Sequence, residues 1–159
     1  FYFTLPFGGM LSQESENNID NTNTTDFVKS IEGLNWIDKT ILIVEDMPDI
    51  QYFLKRVLLK TGVTILFASS LNEARTIFQS SKNVDLILLD IRLPDGDGYD
   101  LSVEFKAQNP NIPIIAQTAY AMQGEKEKSV LFGCDDFITK PIHPDLLFLK
   151  INSLLKKGP

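Results

Sequence analysis

Short hydrophobic runs recur along the chain, and four of them stop close to a polar side chain. The runs occupy residues 41–44, 86–89, 112–116 and 137–138. The polar residues that follow within two positions are Glu45, Asp46, Asp90, Thr118 and Lys140. Short apolar runs separated by helical patterns predict buried parallel strands joined by crossover helices. Because parallel strands end at one edge of a sheet, we expect these five side chains to meet there.

The pattern as a whole predicts five strands that alternate with five helices. The strands occupy residues 40–45, 63–68, 84–90, 112–118 and 136–138. Pro48 begins a first helix that runs to about residue 60, and a capping box at Ser70 begins a second. A third helix follows the third strand, and the last two occupy residues 121–132 and 144–156. With right-handed crossovers these elements form an α/β fold, a flavodoxin-like doubly wound (βα)5 sandwich with the parallel sheet order 2-1-3-4-5.

The composition divides the chain into three parts. Residues 1–7 are aromatic and β-prone and include a proline, which predicts one terminal strand of another domain. Residues 8–38 are rich in Ser, Asn, Thr, Asp and Glu, which is typical of a flexible polar linker. Residues 39–157 contain the regular alternation of strands and helices. Because the chain starts at Phe1 inside a strand pattern, we expect it to be a fragment of a longer protein.

The overall composition argues against several kinds of function. The 159 residues are 43% apolar, enough for the core of one domain, and the formal charge of −6 argues against nucleic-acid binding. No apolar run approaches the roughly 18 residues of a membrane span. The single cysteine, Cys134, cannot form an internal disulfide and is expected to be a packing residue. A reducing, cytoplasmic environment is therefore the simplest expectation.

The side chains at the predicted sheet edge have complementary chemistry. Carboxylates about 4 Å apart repel by roughly 4 kcal/mol at an effective dielectric of 20, so Glu45, Asp46 and Asp90 together require a cation or raised pKa values. Oxygen ligands with room for water favour Mg²⁺. An aspartate beside the metal can attack a phosphoryl group, while Lys140 and Thr118 contact its oxygens. A single acid here would be ordinary turn or capping chemistry, but its recurrence at successive strand ends favours phosphate chemistry.

Four sequence motifs lie at these strand ends. They are Ile41-Leu42-Ile43-Val44-Glu45-Asp46, Leu88-Leu89-Asp90-Ile91-Arg92-Leu93-Pro94-Asp95-Gly96-Asp97-Gly98, Thr118-Ala119 and Phe137-Ile138-Thr139-Lys140-Pro141. In content and order they resemble the receiver domain of two-component response regulators, and the resemblance covers residues 39–157. Glu45 replaces the aspartate often found first in the acidic pair, and Phe137 replaces a frequent tyrosine. Neither replacement removes an essential group.

The resemblance implies a separate role for each member of the predicted site. Asp90 would be the phosphoacceptor and would share the Mg²⁺ ion with the acidic pair. Asp46 would ligate the metal directly, Glu45 mainly through water, and Arg92 through its backbone carbonyl. Lys140 would contact the phosphoryl oxygens.

The same resemblance implies a conformational switch beside the phosphoacceptor. Thr118 and Phe137 would form the switch pair, in which movement of the hydroxyl lets the ring turn inward. The peptide bond between Lys140 and Pro141 would be cis, a form largely confined to X-Pro bonds.

The opening residues resemble the last strand of a histidine-kinase ATP-binding domain. A strand, a polar linker and a receiver in this order follow the layout of a hybrid sensor histidine kinase, whose membrane anchoring, if any, would be in the inner membrane. The phosphodonor would be a phosphohistidine of the kinase domain, in the same chain or in a dimer partner, or of a histidine phosphotransfer protein. The fragment itself would carry only phosphoacceptor chemistry, and receivers of this kind can also dimerise.

Two other functions remain open at this point. The domain could be an interaction module that binds partners without being phosphorylated, although the complete set of acids argues against this. A stand-alone flavodoxin-like enzyme or phosphatase would need a glycine-rich phosphate loop or a second aspartate two residues after Asp90, where Arg92 stands instead. The segment from Asp95 to Gly98 lacks the ligand spacing of a calcium loop and is interpreted as a turn.

Two bulky residues are expected to control how long the phosphoryl group persists. Arg92 and Tyr120 lie two positions beyond Asp90 and Thr118, where their side chains can shield an acyl phosphate from water. We predict slow self-dephosphorylation that becomes faster in the Arg92→Ala, Tyr120→Ala double variant. Decay of the phosphorylated protein, followed by loss of bound phosphate, measures this. An unchanged decay rate would contradict shielding of the acyl phosphate by these two side chains.

Overall fold

The computed structural model describes residues 33–81, 83–119 and 124–156, and for Glu125 the backbone alone. The predicted strand at residues 1–7, most of the predicted linker and Tyr120 lie outside these ranges. Among the described helices, none has both the length and the apolar character needed to cross a membrane.

A five-stranded parallel sheet forms the centre of the molecule. Its strands are β1 (Thr40–Val44), β2 (Thr64–Ala68), β3 (Leu86–Asp90), β6 (Ile114–Thr118) and β7 (Asp136–Thr139). They lie in the order β2-β1-β3-β6-β7, and all four pairings are parallel. Numbered within this sheet alone, the order is 2-1-3-4-5, which confirms the predicted flavodoxin-like topology.

A small antiparallel hairpin interrupts the loop after β3. Its strands are β4 (Arg92–Leu93) and β5 (Gly96–Asp97), and the hairpin includes part of the segment from Asp95 to Gly98 that the sequence predicts as a turn. The carboxylate of Asp95 accepts hydrogen bonds from the backbone N–H groups of Leu71 and Asn72, at 2.9 and 3.1 Å. These hydrogen bonds lower the pKa of Asp95, and the bond from Leu71 has the largest effect. The acid thus fixes the loop against the start of a helix, which agrees with the structural role expected for this segment.

In the described part of the chain, four α-helices connect the strands of the sheet and a fifth follows β7. They are α1 (Pro48–Leu58), α2 (Leu71–Ser80), α3 (Gly98–Gln108), α4 (Glu125–Leu131) and α5 (Pro144–Leu155). Pro48 stands in the first turn of α1, as predicted. The α-helical geometry of α1 stops two residues early, because Leu59–Thr61 tightens into a 3₁₀ turn before Gly62 at φ 76°. Ser70 caps α2 by accepting a hydrogen bond from the backbone N–H of Glu73.

The core has two layers, one on each face of the sheet. On one face, β-strand side chains pack against α2 and α3, with Leu71, Ala74, Tyr99, Leu101 and Phe105 among the buried members. On the other face they pack against α1 and α5, with Leu54, Leu58, Leu147, Phe148 and Ile151. Trp36 is also buried there, 6.0 Å from the Phe148 ring, so packing begins before the predicted boundary at residue 39.

Cys134 is a packing residue, as the sequence predicts. Its side chain is buried in the core layer that contains α3, and it is a free thiol. Burial raises the pKa of this thiol to about 11, so the group is neutral near pH 7 and is a poor nucleophile.

Gly98 allows the first turn of α3 to lie directly against the end of β3. Its backbone N–H donates to the carbonyl of Ile91 at 2.9 Å. A Cβ atom at this position would collide with the carbonyl oxygen of Asp90 and would lie 2.9 Å from Cα of Ile91. The contact is with backbone, which cannot move aside as a flexible side chain can. The loop after Asp90 therefore depends on a residue without a side chain here.

The variant Gly98→Ala is expected to lose about 1–3 kcal/mol of unfolding free energy, because the added methyl group overpacks a backbone contact. Denaturant unfolding of the purified protein measures the loss. Val103→Ala, at an exposed position of the same helix, serves as the control and should change stability by less than about 0.5 kcal/mol. Equal stability of Gly98→Ala and the wild type would contradict this account of the contact.

Candidate functional site

The structure brings the predicted polar residues to one edge of the sheet. Glu45 follows β1 directly, Asp90 is the last residue of β3, and Thr118 is the last residue of β6. Lys140 follows β7 directly. Because all of these strands are parallel, their carboxyl ends share one edge, as the sequence predicts.

Two ion pairs join three of these strand ends. The ammonium group of Lys140 lies 2.7 Å from Oε2 of Glu45 and 2.6 Å from Oδ2 of Asp90. The Glu45 side chain is 0% exposed, and those of Asp90 and Lys140 are 8% and 19% exposed. At such burial, the attraction between opposite charges is stronger than on the protein surface. One cation is therefore shared by two buried carboxylates.

The environment shifts the pKa values of Glu45 and Lys140 upward. Burial raises the pKa of Glu45 and the charge of Asp90 adds to the effect, while Lys140 opposes it. For Lys140, burial alone would lower the pKa, but its hydrogen bonds to Asp90 and Glu45 outweigh burial and raise the pKa. The ammonium group is therefore charged at neutral pH.

Backbone groups hold the two buried carboxylates in place. The N–H of Arg92 donates to Oδ1 of Asp90 at 2.9 Å, and the N–H of Met47 donates to Oε1 of Glu45 at 3.2 Å. The side-chain amide of Gln51, on α1, donates to the backbone carbonyl of Glu45 at 2.5 Å. These contacts leave the carboxylates little freedom to rotate. The site is pre-organised by its flanking loops.

Three carboxylates at this edge could hold a metal ion. One oxygen each from Glu45, Asp46 and Asp90 lies within 4.8 Å of the others. Asp46 is partly buried and forms no ion pair with the described residues. An all-oxygen set of this kind suits a hard divalent cation such as Mg²⁺ or Ca²⁺.

The residues of the predicted switch pair lie on neighbouring strands. Thr118 is 4% exposed, and its carbonyl accepts a hydrogen bond from the backbone N–H of Lys140 at 2.8 Å. Phe137 is partly buried on β7, where it pairs in register with Ala116, two residues before Thr118. The Lys140–Pro141 peptide bond is cis, as predicted. The strand end at Thr118 is thus directly connected to the loop that carries Lys140.

Two further residues next to the site do not stand out in the sequence. Gly98 is one of two glycines in an acidic loop, and its close contact with Asp90 appears only in the folded chain. Gln117 precedes Thr118 and is 0% exposed within a run of apolar residues. A glutamine inside a predicted buried strand was the available signal, because polar side chains are rarely buried without a specific partner.

Comparison with known proteins identifies the family. The model of the response regulator receiver domain matches residues 41–152. The chain is 38% identical over 135 residues to hybrid signal transduction histidine kinase I of Dictyostelium discoideum, covering 80% of the chain and 8% of that protein. It is 33% identical over 117 residues to response regulator SaeR of Staphylococcus aureus, covering 74% of the chain and 50% of that protein. The chain thus spans half or less of these curated relatives.

Solved structures give the same result. A two-component response regulator from Clostridium difficile superposes with a TM-score of 0.70 at 30% identity, covering 75% of this chain and 97% of the other. The signal receiver domain of a histidine kinase from Syntrophus aciditrophicus gives a TM-score of 0.66 at 36% identity, covering 74% and 90%. On the family match, the sheet order and these relatives, the chain belongs to the response regulator receiver domain family of two-component signal transduction.

Proposed function

We propose that this receiver domain takes a phosphoryl group from a phosphohistidine onto Asp90 in a reaction that requires Mg²⁺. The observation that carries the proposal is the position of Asp90 at the sheet edge, paired with Lys140 and close to two further carboxylates. This combination places three things together: a nucleophile, an ammonium group for the phosphoryl oxygens and a site for a metal ion. A binding module without such chemistry has no need for it.

In the proposed transfer, an oxygen of Asp90 attacks phosphorus in line with the bond to the histidine nitrogen. The oxygen–phosphorus bond forms as the nitrogen–phosphorus bond breaks, and the departing imidazole keeps the electron pair and takes up a proton. Mg²⁺ would neutralise charge on the phosphoryl oxygens. We assign its ligands to Asp46, Asp90 and the Arg92 carbonyl, with Glu45 acting mainly through water.

Lys140 changes partners in this proposal. Its ammonium group is shared between Glu45 and Asp90 in the structure described here. An incoming phosphoryl group carries more negative charge than a carboxylate and would draw the ammonium to its oxygens. Thr118 would then follow the phosphoryl group with its hydroxyl. The half-buried Phe137 ring would respond as the second member of the switch, altering the surface around α4 and α5.

A groove beside the site supports docking of a phosphodonor. It has a volume of about 320 Å³ and is lined by Asp49, Ile50, Phe53, Lys140, Pro141 and Ile142. The groove is mainly apolar and reaches Lys140, so a bound partner would lie next to Asp90. Phe53, which lines the groove, is 36% exposed. An exposed aromatic side chain at an apolar groove favours protein association.

We further propose that the parent protein is a hybrid sensor histidine kinase. Residues 1–7 would be the last strand of its ATP-binding domain, residues 8–38 the linker and residues 39–157 the receiver. The similarity to hybrid signal transduction histidine kinase I of Dictyostelium supports a parent protein of this class. The phosphodonor histidine would belong to that kinase, to its dimer partner or to a phosphotransfer protein.

Incubation with a small phosphodonor and Mg²⁺ tests the central claim. The wild type should gain an acid-stable phosphate that hydroxylamine removes, as an acyl phosphate requires, whereas Asp90→Asn should gain none. Asp85→Asn is the matched control, because Asp85 precedes β3 and hydrogen-bonds to Lys39 and Thr40 away from the sheet edge. It should be labelled like the wild type. Equal labelling of wild type and Asp90→Asn would refute the proposal.

Replacement of Lys140 tests the charge balance of the site. Without divalent cations, Lys140→Met should lose about 2–3 kcal/mol of unfolding free energy, because it leaves two buried carboxylates unpaired. Mg²⁺ should stabilise this variant more than the wild type, since no ammonium competes for the carboxylates. Denaturant unfolding with and without Mg²⁺ measures both effects.

Lys39→Met is the control for the Lys140 experiment. Lys39 pairs with Asp85 at 3.1 Å, and its side chain is 41% exposed. A pair of this kind contributes roughly 0–1 kcal/mol, and its loss should not change the response to Mg²⁺. If Mg²⁺ stabilised Lys140→Met and the wild type equally, competition between ammonium and metal would be excluded.

A further inference from the structure

Gln117 carries a fully buried amide that has no evident structural use. The residue is 0% exposed, and among the described residues neither its Oε1 nor its Nε2 atom has a hydrogen-bond partner. Burying an unpaired amide costs free energy, whereas an apolar side chain of similar size would fill the same space without that cost. Its paired neighbour on β7 is Ile138, and the residue two positions earlier on β6 is Ile115. The place of Gln117 is therefore compatible with an apolar residue.

Strand register puts Gln117 beside Asp90. The two residues are paired in the parallel ladder between β3 and β6. Leu88 and Ile115, two positions earlier on these strands, both belong to the core layer that contains α1 and α5. Because side chains alternate along a strand, Asp90 and Gln117 point to that same face.

The ion pair between Lys140 and Asp90 crosses the strand that carries Gln117. β6 lies between β3 and β7 in the sheet, and strands two apart are separated by roughly 10 Å. Lys140, just after β7, nevertheless reaches Asp90 at 2.6 Å. Its side chain must therefore extend over the end of β6, on the face where Gln117 lies. The unpaired amide therefore lies at the strand end and on the face that the Lys140 side chain crosses.

We propose that Gln117 is a positioning residue for Lys140 in the phosphorylated state, an inference that rests on the proposed function. When phosphate and metal draw Lys140 away from Glu45, one N–H donor of the ammonium group loses its partner. Oε1 of Gln117 accepts that hydrogen bond and holds Lys140 on the phosphoryl oxygen. The amide is thus unpaired in the unphosphorylated state and paired in the phosphorylated one.

A role for Gln117 in the phosphorylated state can be measured through probe binding. A residue that only fills the core would stabilise the free and the probe-bound protein equally and would leave the binding midpoint unchanged. Beryllofluoride, which mimics a phosphoryl group on a carboxylate, serves as the probe at saturating Mg²⁺. In Gln117→Met, the concentration needed for half-maximal stabilisation should rise by about fivefold or more, while the protein without probe should be at least as stable as the wild type. Ile115→Val, on the same strand and face, is the control and should keep the wild-type midpoint.

The side-chain amide of Gln117 provides a second, direct measurement in the wild-type protein. Its ¹⁵N-labelled NH₂ resonances, assigned by their absence in Gln117→Met, should shift when beryllofluoride and Mg²⁺ bind, because a hydrogen bond accepted by Oε1 polarises the amide group. This readout needs no destabilising variant.

Three results would overturn the idea in different ways. An unchanged midpoint in Gln117→Met, or amide resonances that do not respond while the wild type binds the probe, would refute the role of Gln117 alone. A wild-type protein that shows no response to beryllofluoride would refute the proposed function, and the role of Gln117 with it.

Discussion

The sharing of one ammonium group between two buried carboxylates is the interaction on which the site depends. Glu45 is fully buried, and a carboxylate in that position is stable in its charged form only beside a cation. Lys140 supplies the cation from the far side of the sheet. The charge balance therefore depends on strand direction, which places the ends of β1, β3 and β7 at one edge of the sheet, and on the reach of the Lys140 side chain across β6.

The loops that surround these charges are fixed by contacts of their own. Gly98 brings the first turn of α3 against Asp90, and Asp95 ties the same loop to the start of α2. Backbone N–H groups from Met47 and Arg92 complete the support of the two carboxylates. A change of charge at Asp90 would therefore act on several elements together. Because the loops are held rigidly, a change of charge at Asp90 would shift a neighbouring strand end instead of causing only a small rearrangement of the loop.

Most of the fold follows from periodicity in the sequence. The apolar runs fixed the strands to within two residues of their observed ends at the site, because buried parallel strands are continuous in hydrophobicity. The position of Glu45, Asp90, Thr118 and Lys140 at one edge then follows from strand direction alone. The ion pairs, in contrast, do not follow from strand direction. Whether Lys140 contacts one carboxylate or two depends on side-chain reach across β6, which no local pattern encodes.

The features that sequence reasoning missed have a common physical origin. The hairpin of β4 and β5, the backbone contact at Gly98 and the pairing of Gln117 with Asp90 each depend on where two distant segments meet. From local propensity alone, the hairpin segment is predicted as a loop and Gly98 as a turn residue. Of these features, only Gln117 is visible in the sequence, as a polar side chain in an apolar strand. Its position beside Asp90 follows only from the register between β3 and β6.

The raised pKa of Lys140 determines how the site can respond to phosphate. Since the ammonium group keeps its proton at neutral pH, it cannot relieve a charge imbalance by titrating. In the proposed mechanism, added negative charge at Asp90 is met by movement of Lys140, and that movement takes the cation away from Glu45. A buried carboxylate without its cation needs either a proton or another cation, and the proposal assigns that cation to a divalent metal between Glu45, Asp46 and Asp90. In this proposal, metal dependence and movement of Lys140 are two consequences of the same charge balance.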